Sequence, residues 1–310
     1  MQRLPEGLWP VMITSFKSNN QLDLDGMKKI TDMYLAAGAN GMFANCLSSE
    51  MFQLNTEERL TLVKTVVDHC KGKVPVVATG SFHRNPTENV EFIKKIYDLG
   101  VEAVILISSV LVEPEEPEEK LKQRIDAILE AAPNIPLGLY ECPMPYKRVV
   151  SPTLMKWLAG TGRFWYHKDT TCDALAIKSK LAQIADSDFH LYNADTPSAL
   201  QSLRFGAKGI SPISGNFYPE LYGHYLKLYR ENKTEELEAL NGYLVVMDRI
   251  THDFYPRSAK LFLQKRGLGI DAATRTPSGK MSVKDKNIHQ GLFKMFEMVR
   301  EKFSIDSVIE

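Results

Sequence analysis

Three segments of the chain share one form, in which a glycine, two residues and a small residue lead into an apolar run: GANGMFAN from Gly38, GVEAVILI from Gly100 and GAKGISPI from Gly206. Each follows an amphipathic helical stretch. The glycine therefore suits a left-handed helix cap, and the apolar run suits a parallel strand covered on both faces. Two further runs begin after proline-marked loops, residues 74–80 (VPVVATG) and 135–141 (IPLGLYE). Residues 8–16 (LWPVMITSF), 163–168 (RFWYHK) and 188–194 (DFHLYNA) bring the predicted strands to eight.

Helical patterns lie between the strands, at residues 24–37, 56–70, 87–99 and 117–131. Asn55, followed three residues later by Glu58, reads as a capping box at the start of the second. Eight strand–helix units in about 225 residues predict an α/β chain folded as a (β/α)8 TIM barrel. A doubly wound sheet is the alternative, but no G-x-G-x-x-G follows the first strand. After about residue 225 three helical patterns follow, near 234–253, 258–266 and 284–303. The expected division is a barrel over residues 1–224 and a helical region over 225–310 packed on it.

Composition narrows the function classes. The 310 residues carry 38 basic and 38 acidic side chains, for a formal net charge of zero. That balance argues against nucleic acid or an anionic membrane as partner. The most apolar stretch, residues 103–112, is half the length a membrane span requires. Arg3 and Glu6 interrupt what a signal peptide would keep apolar. Cys46, Cys70, Cys142 and Cys172 are widely spaced and read as free thiols of a reducing compartment, so the cytoplasm is the expected location.

Barrel enzymes carry their chemistry at the carboxyl ends of the strands. The sixth strand ends there in Lys168, and strict alternation puts Phe164, Tyr166 and Lys168 on one face and His167 on the other. A lysine carried into a barrel mouth by an aromatic strand is partly desolvated, which frees the neutral amine that Schiff-base chemistry needs. A lysine that reaches solvent or pairs with Asp169 is the plainer reading. The fifth strand ends in Tyr140, a possible proton donor or a core tyrosine. Gly138, two residues earlier, would leave room for a large neighbour. The loop Cys46-Leu47-Ser48-Ser49-Glu50 could hold a carboxylate or could be an ordinary polar turn. The seven histidines show no metal-ligand spacing, so a metal site is not expected.

Several segments in order resemble one family. MITSF, CLSSEMFQLNTEER, TGSFHRNPTENV, YECP, HKDTT, GAKGISPISGN, YPRSAK and TRTP are similar to the dihydrodipicolinate synthase / N-acetylneuraminate lyase family of Schiff-base barrel enzymes. The resemblance implies that Lys168 condenses with the keto carbon of pyruvate or a related 2-keto acid, with no cofactor, and that Tyr140 relays protons. It implies that Ser48 and neighbouring amides hold the substrate carboxylate, that Ser211 offers a main-chain carbonyl and that Asp195 is an acid beside the seventh strand. It also implies a small-molecule keto acid and aldehyde as partners and a homo-oligomer, dimer or tetramer.

The departures bear on substrate. The family's relay hydroxyl before Ser48 is Leu47, its tyrosine pair falls at Val110 and Leu111, and its carboxylate-binding arginine is Pro145. The expectation is therefore a 2-keto sugar-acid aldolase or dehydratase. The lysine-pathway synthase, N-acetylneuraminate lyase and a silent keto-acid-binding barrel remain as alternatives.

Overall fold

The computed structural model describes residues 4–309. Arg3, used above against a signal peptide, lies outside them. The elements run β1 (Gly7–Leu8), α1 (Leu24–Ala36), β2 (Met42–Ala44), α2 (Thr56–Cys70), β3 (Val76–Thr79), α3 (Pro86–Asp98), β4 (Ala103–Ile107) and a short α4 (Ser108–Leu111). They continue with α5 (Glu118–Ala131), β5 (Leu137–Tyr140), α6 (Pro152–Gly160), β6 (Phe164–Asp169), α7 (Ala174–Leu181), β7 (His190–Asn193), α8 (Thr196–Arg204) and β8 (Gly209–Ile210). Four helices end the chain: α9 (Pro219–Arg230), α10 (Thr234–Thr251), α11 (Arg257–Lys265) and α12 (Val283–Lys302).

All eight strands are parallel, in the order β1-β8-β7-β6-β5-β4-β3-β2. The two ends meet where Val11 bridges Phe43, with Met12 N–H donating to the Phe43 carbonyl and Phe43 N–H to that of Pro10. The expected (β/α)8 barrel is the fold. Its first strand is shorter than the apolar pattern suggested, because Pro10 has no N–H to continue a ladder. Gly38, Gly100 and Gly206 take φ of +80°, +94° and +102°, the left-handed caps that the repeat required. Asn55 caps α2 as expected: its side chain accepts from Glu58 N–H at 2.9 Å, and Glu58 accepts from Asn55 N–H at 3.0 Å.

Two apolar layers result. The outer one lies between sheet and helices. The inner one fills the barrel with aromatic rings: Tyr166 and Tyr192 stack at 4.6 Å, and Trp9 packs 5.1 Å from each. One expectation of strand alternation is corrected here. Between β5 and β6 the pairing passes from Leu137–Phe164 directly to Gly138–Tyr166, so β6 carries an extra residue. A bulge reverses the face of everything before it. Phe164 therefore points outward onto Phe189, and only Tyr166 and Lys168 face the barrel axis. Gly138 does make room for a neighbour: a Cβ there would stand 2.7 Å from the Tyr166 carbonyl oxygen and 2.4 Å from Ile105 Cδ1. The helix α9 is the eighth of the barrel and runs across position 224.

Candidate active site

A cavity of about 520 Å³ opens at the carboxyl ends of the strands, within the usual range for small-molecule sites. Lys168 reaches it from β6 and Tyr140 from β5, strands paired in register at those two residues. Lys168 is 3 % exposed and Tyr140 2 %. The amine Nζ lies 3.4 Å from the Tyr140 hydroxyl and 4.4 Å from its ring centroid. Burial lowers the Lys168 pKa, outweighing the opposing influence of the Cys46, Cys142 and Cys172 thiols. Burial likewise holds the Tyr140 phenol well above its ordinary value.

The plain alternative for Lys168, a pair with Asp169, does not occur. Asp169 lies on the opposite face of β6, where Lys180 Nζ bonds Asp169 at 2.7 Å, Glu141 at 2.5 Å and Thr171 at 2.7 Å. His167 joins this buried group, with Nε2 3.5 Å from Glu141 and 3.7 Å from Asp169. Burial pushes both carboxyls up, but His167 and Lys180 bring them below their usual values. Burial alone would depress His167, and the two carboxylates outweigh it and raise it. Glu141, His167 and Asp169 are spaced to hold a metal ion, yet the Lys180 ammonium occupies the space between the carboxylates. The cluster fixes the backs of β5 and β6 while Tyr140 and Lys168 face the cavity.

Ser48 stands on a 3₁₀ turn, Leu47–Ser49, directly after β2. The turn is pinned from three sides. Ser49 Oγ donates to the Met12 carbonyl at 2.6 Å, and Thr14 Oγ1 donates to that of Ser49 at 2.8 Å. Glu50, buried and at φ +59°, accepts from Lys260 Nζ at 2.9 Å and from the Arg275 and Thr276 amides at 2.6 Å each. A turn of this kind leaves its leading amides unpaired within itself, and such amides can donate to an acceptor beside the Ser48 hydroxyl.

Lys168, Tyr140, Ser48, Leu47 and Asp195 all line the one cavity. Asp195 also caps α8, accepting from Ser198 N–H at 3.0 Å and from its hydroxyl at 2.6 Å. Ser211 is not brought to the cavity wall. It sits inside the barrel, donating through Oγ to the Trp9 carbonyl at 2.6 Å, and Ile213 lines the cavity in its place. Leu111 is buried in the outer layer, so it does not stand where a relay hydroxyl would be needed. Arg148 bonds the carbonyls of Glu113 and Glu116, whereas Lys147 lines the cavity.

Sequence reasoning missed Phe52, Met144, Asp248, His252 and Tyr255 on the same wall. Asp248 accepts from Thr196 and Ser214 hydroxyls at 2.8 and 2.5 Å and meets His252 at 3.3 Å. That carboxylate holds the His252 imidazole above its usual pKa. Tyr255 sits in YPRSAK, a segment read only as a helical tail. A tail's periodicity says which face packs and not which mouth it covers.

The description "Dihydrodipicolinate synthetase family" matches residues 4–295. The chain belongs to that family. Its members are class I aldolase-type lyases, and this chain is a lyase of that type. The chain is 26% identical over 261 residues to 4-hydroxy-tetrahydrodipicolinate synthase of Bacillus subtilis strain 168, covering 84% of this chain and 88% of that one. The enzyme of the same name from Methanospirillum hungatei JF-1 is 29% identical over 216 residues, or 69% and 72% of the two chains. Among solved structures, YagE, a prophage protein of E. coli K12 in complex with pyruvate, superposes with a TM-score of 0.85 at 22% identity, covering 94% of this chain and 98% of that one. The dihydrodipicolinate synthase of Bacillus anthracis gives 0.84 at 23% over 95% and 99%. These two likenesses are of fold. No described helix is long and apolar enough to cross a membrane.

Proposed function

We propose that this lyase forms a Schiff base between Lys168 and pyruvate or a related 2-keto acid, and acts as an aldolase or dehydratase of a 2-keto sugar acid. The observation that carries the reading is the buried Lys168 amine, with no carboxylate partner among the described residues, 3.4 Å from the Tyr140 phenol. The neutral amine attacks the keto carbon while Ser48 and its turn hold the carboxylate. A C–N bond forms, and the former carbonyl oxygen leaves as water with a proton from Tyr140. The resulting iminium draws in the electrons of the C3–C4 bond, which breaks as the C4 hydroxyl passes its proton to Tyr140 and an aldehyde is released. Tyr140 then returns that proton to C3 of the enamine, and water hydrolyses the iminium to free the 2-keto acid and the Lys168 amine.

The cavity is lined by apolar Leu47, Phe52, Met144 and Ile213 and also by polar Lys147, Asp195 and His252. Those polar groups can meet hydroxyls of the leaving aldehyde. No guanidinium lines this cavity among the described residues, and Pro145 stands where the family carries one. That argues against the lysine-pathway condensation, whose aldehyde brings a second carboxylate. A charge-assisted hydrogen bond lost there removes about 1.5–3 kcal/mol of binding. The synthase reading is favoured by the names of the relatives. N-acetylneuraminate lyase has no observation of its own here. A silent binder would have no use for an unpaired buried amine. Cytoplasmic location and assembly as a dimer or tetramer belong to this proposal.

The test is a pair of assays on purified protein. Release of pyruvate from 2-keto-3-deoxy sugar acids is expected, with little or no condensation of pyruvate and aspartate semialdehyde. Rescue of a lysine auxotroph lacking its own synthase, at ordinary expression, would show that the synthase reading is the right one.

A further inference from the structure

Once Leu47 replaces a hydroxyl and Leu111 faces away, Tyr140 needs another partner to take its proton and return it. Its phenol is held well above the ordinary value by burial, so a bare phenolate there is costly. The tail of the chain brings a second phenol to the same cavity. Tyr255, between α10 and α11, lines it together with Ser48 and Tyr140.

The hydrogen bonds behind Tyr255 fix which way its proton points. Asn216 Nδ2 lies 2.9 Å from the Val11 carbonyl oxygen and 2.7 Å from the Tyr255 hydroxyl. A carbonyl can only accept, so the amide nitrogen must face Val11, and its second hydrogen goes to Tyr255. The other side of the amide is equally committed, because Tyr34, fully buried, donates its hydroxyl proton to Asn216 Oδ1. Tyr255 is thus an acceptor on its inner side. Its own proton is turned toward the cavity, whose lining it shares with Ser48 and Tyr140.

We infer that Tyr255 completes the proton relay of this enzyme, handing its proton to Tyr140, directly or through Ser48, as Tyr140 protonates the departing hydroxyl of the carbinolamine. The proton returns when Tyr140 takes one from C3 of the iminium to form the enamine. The sum is balanced: one C–N bond forms, one C–O bond breaks with loss of water, and the C3 proton replaces the one delivered. Tyr255 acts through Tyr140, so it is a positioning residue for the proton. It does not touch the reacting carbon. The inference rests on the Schiff-base reading above.

Exchange of the pyruvate methyl protons for deuterium, followed by NMR in D2O, reads this step without any aldehyde. The wild-type enzyme is expected to exchange them, and Tyr255→Phe is expected to lower the saturated exchange rate about 10²-fold with the pyruvate KM within about twofold. Asn216→Asp is the second variant. It keeps both phenols, offers Tyr255 an acceptor and turns its proton away, so exchange falls there too. Both variants are checked for folding by circular dichroism. Wild-type exchange in either folded variant overturns the relay. A wild-type protein that neither exchanges the methyl protons nor gives a borohydride-trapped pyruvate adduct overturns the Schiff-base reading, and the relay with it.

Discussion

At the scale of the residue, the proposed chemistry rests on an amine whose pKa burial lowers beside a phenol whose pKa burial raises. The first prediction concerns that phenol. Tyr140→Phe keeps the ring that packs edge-on against Phe43 at 5.6 Å, so the fold should survive while pyruvate methyl exchange falls about 10²-fold. Undiminished exchange would make Tyr140 a structural residue. A second prediction follows from the lowered Lys168 pKa. The neutral amine is the nucleophile, so adduct formation should rise with pH and level off below the ordinary lysine value of about 10.4. A rise that continues through that value would contradict the burial argument. Lys168, Tyr140 and Ser48 were legible as candidates because each lies at or just beyond the carboxyl end of a predicted strand. Ser211 also follows a strand, but its hydroxyl is bonded to the Trp9 carbonyl inside the barrel. Tyr255 could not be read, since nothing local says where a helical tail crosses the mouth.

At the scale of the element, β5 and β6 present Tyr140 and Lys168 side by side, and two devices hold them in register. One is Gly138, whose missing side chain admits Tyr166. Gly138→Ala pushes a methyl onto a backbone oxygen 2.7 Å away and should cost about 1–3 kcal/mol in denaturant unfolding, with loss of pyruvate trapping. Unchanged stability would mean the strands can part freely. The other device is the buried group behind them. Lys180→Met leaves Glu141 and Asp169 without their ammonium, and removing one partner of such a group typically costs about 3–5 kcal/mol. The group also sets a pH dependence. The carboxylates are lowered, so their contribution is whole above about pH 4 and is lost as pH falls through their folded values. His167 is raised, so its contribution is whole below about pH 6.5 and fades as pH rises through its folded value. The stability gap between wild type and His167→Gln should therefore be widest in mild acid and shrink in alkali; a gap that grows with pH would contradict this. Strand existence was plain in the sequence. The bulge that turned Phe164 outward was not, because alternation assumes an unbroken register.

At the scale of the whole molecule, the barrel supplies the lysine and the tail completes the site around it. Lys260 and the Arg275–Thr276 amides pin Glu50, and that turn carries Ser48. The glycine repeat made the barrel legible from a single chain, since eight units of strand and helix leave few other architectures. The site's dependence on the tail was hidden, because it is made by contacts more than 200 residues apart in sequence. The central claim is a covalent one, and mass spectrometry tests it most directly. After incubation with pyruvate and borohydride, the intact protein should gain one reduced pyruvate adduct, mapping to the peptide that holds Lys168 and absent from Lys168→Ala, with EDTA making no difference. An unmodified mass across a panel of 2-keto acids, or an adduct on another lysine, would contradict the account.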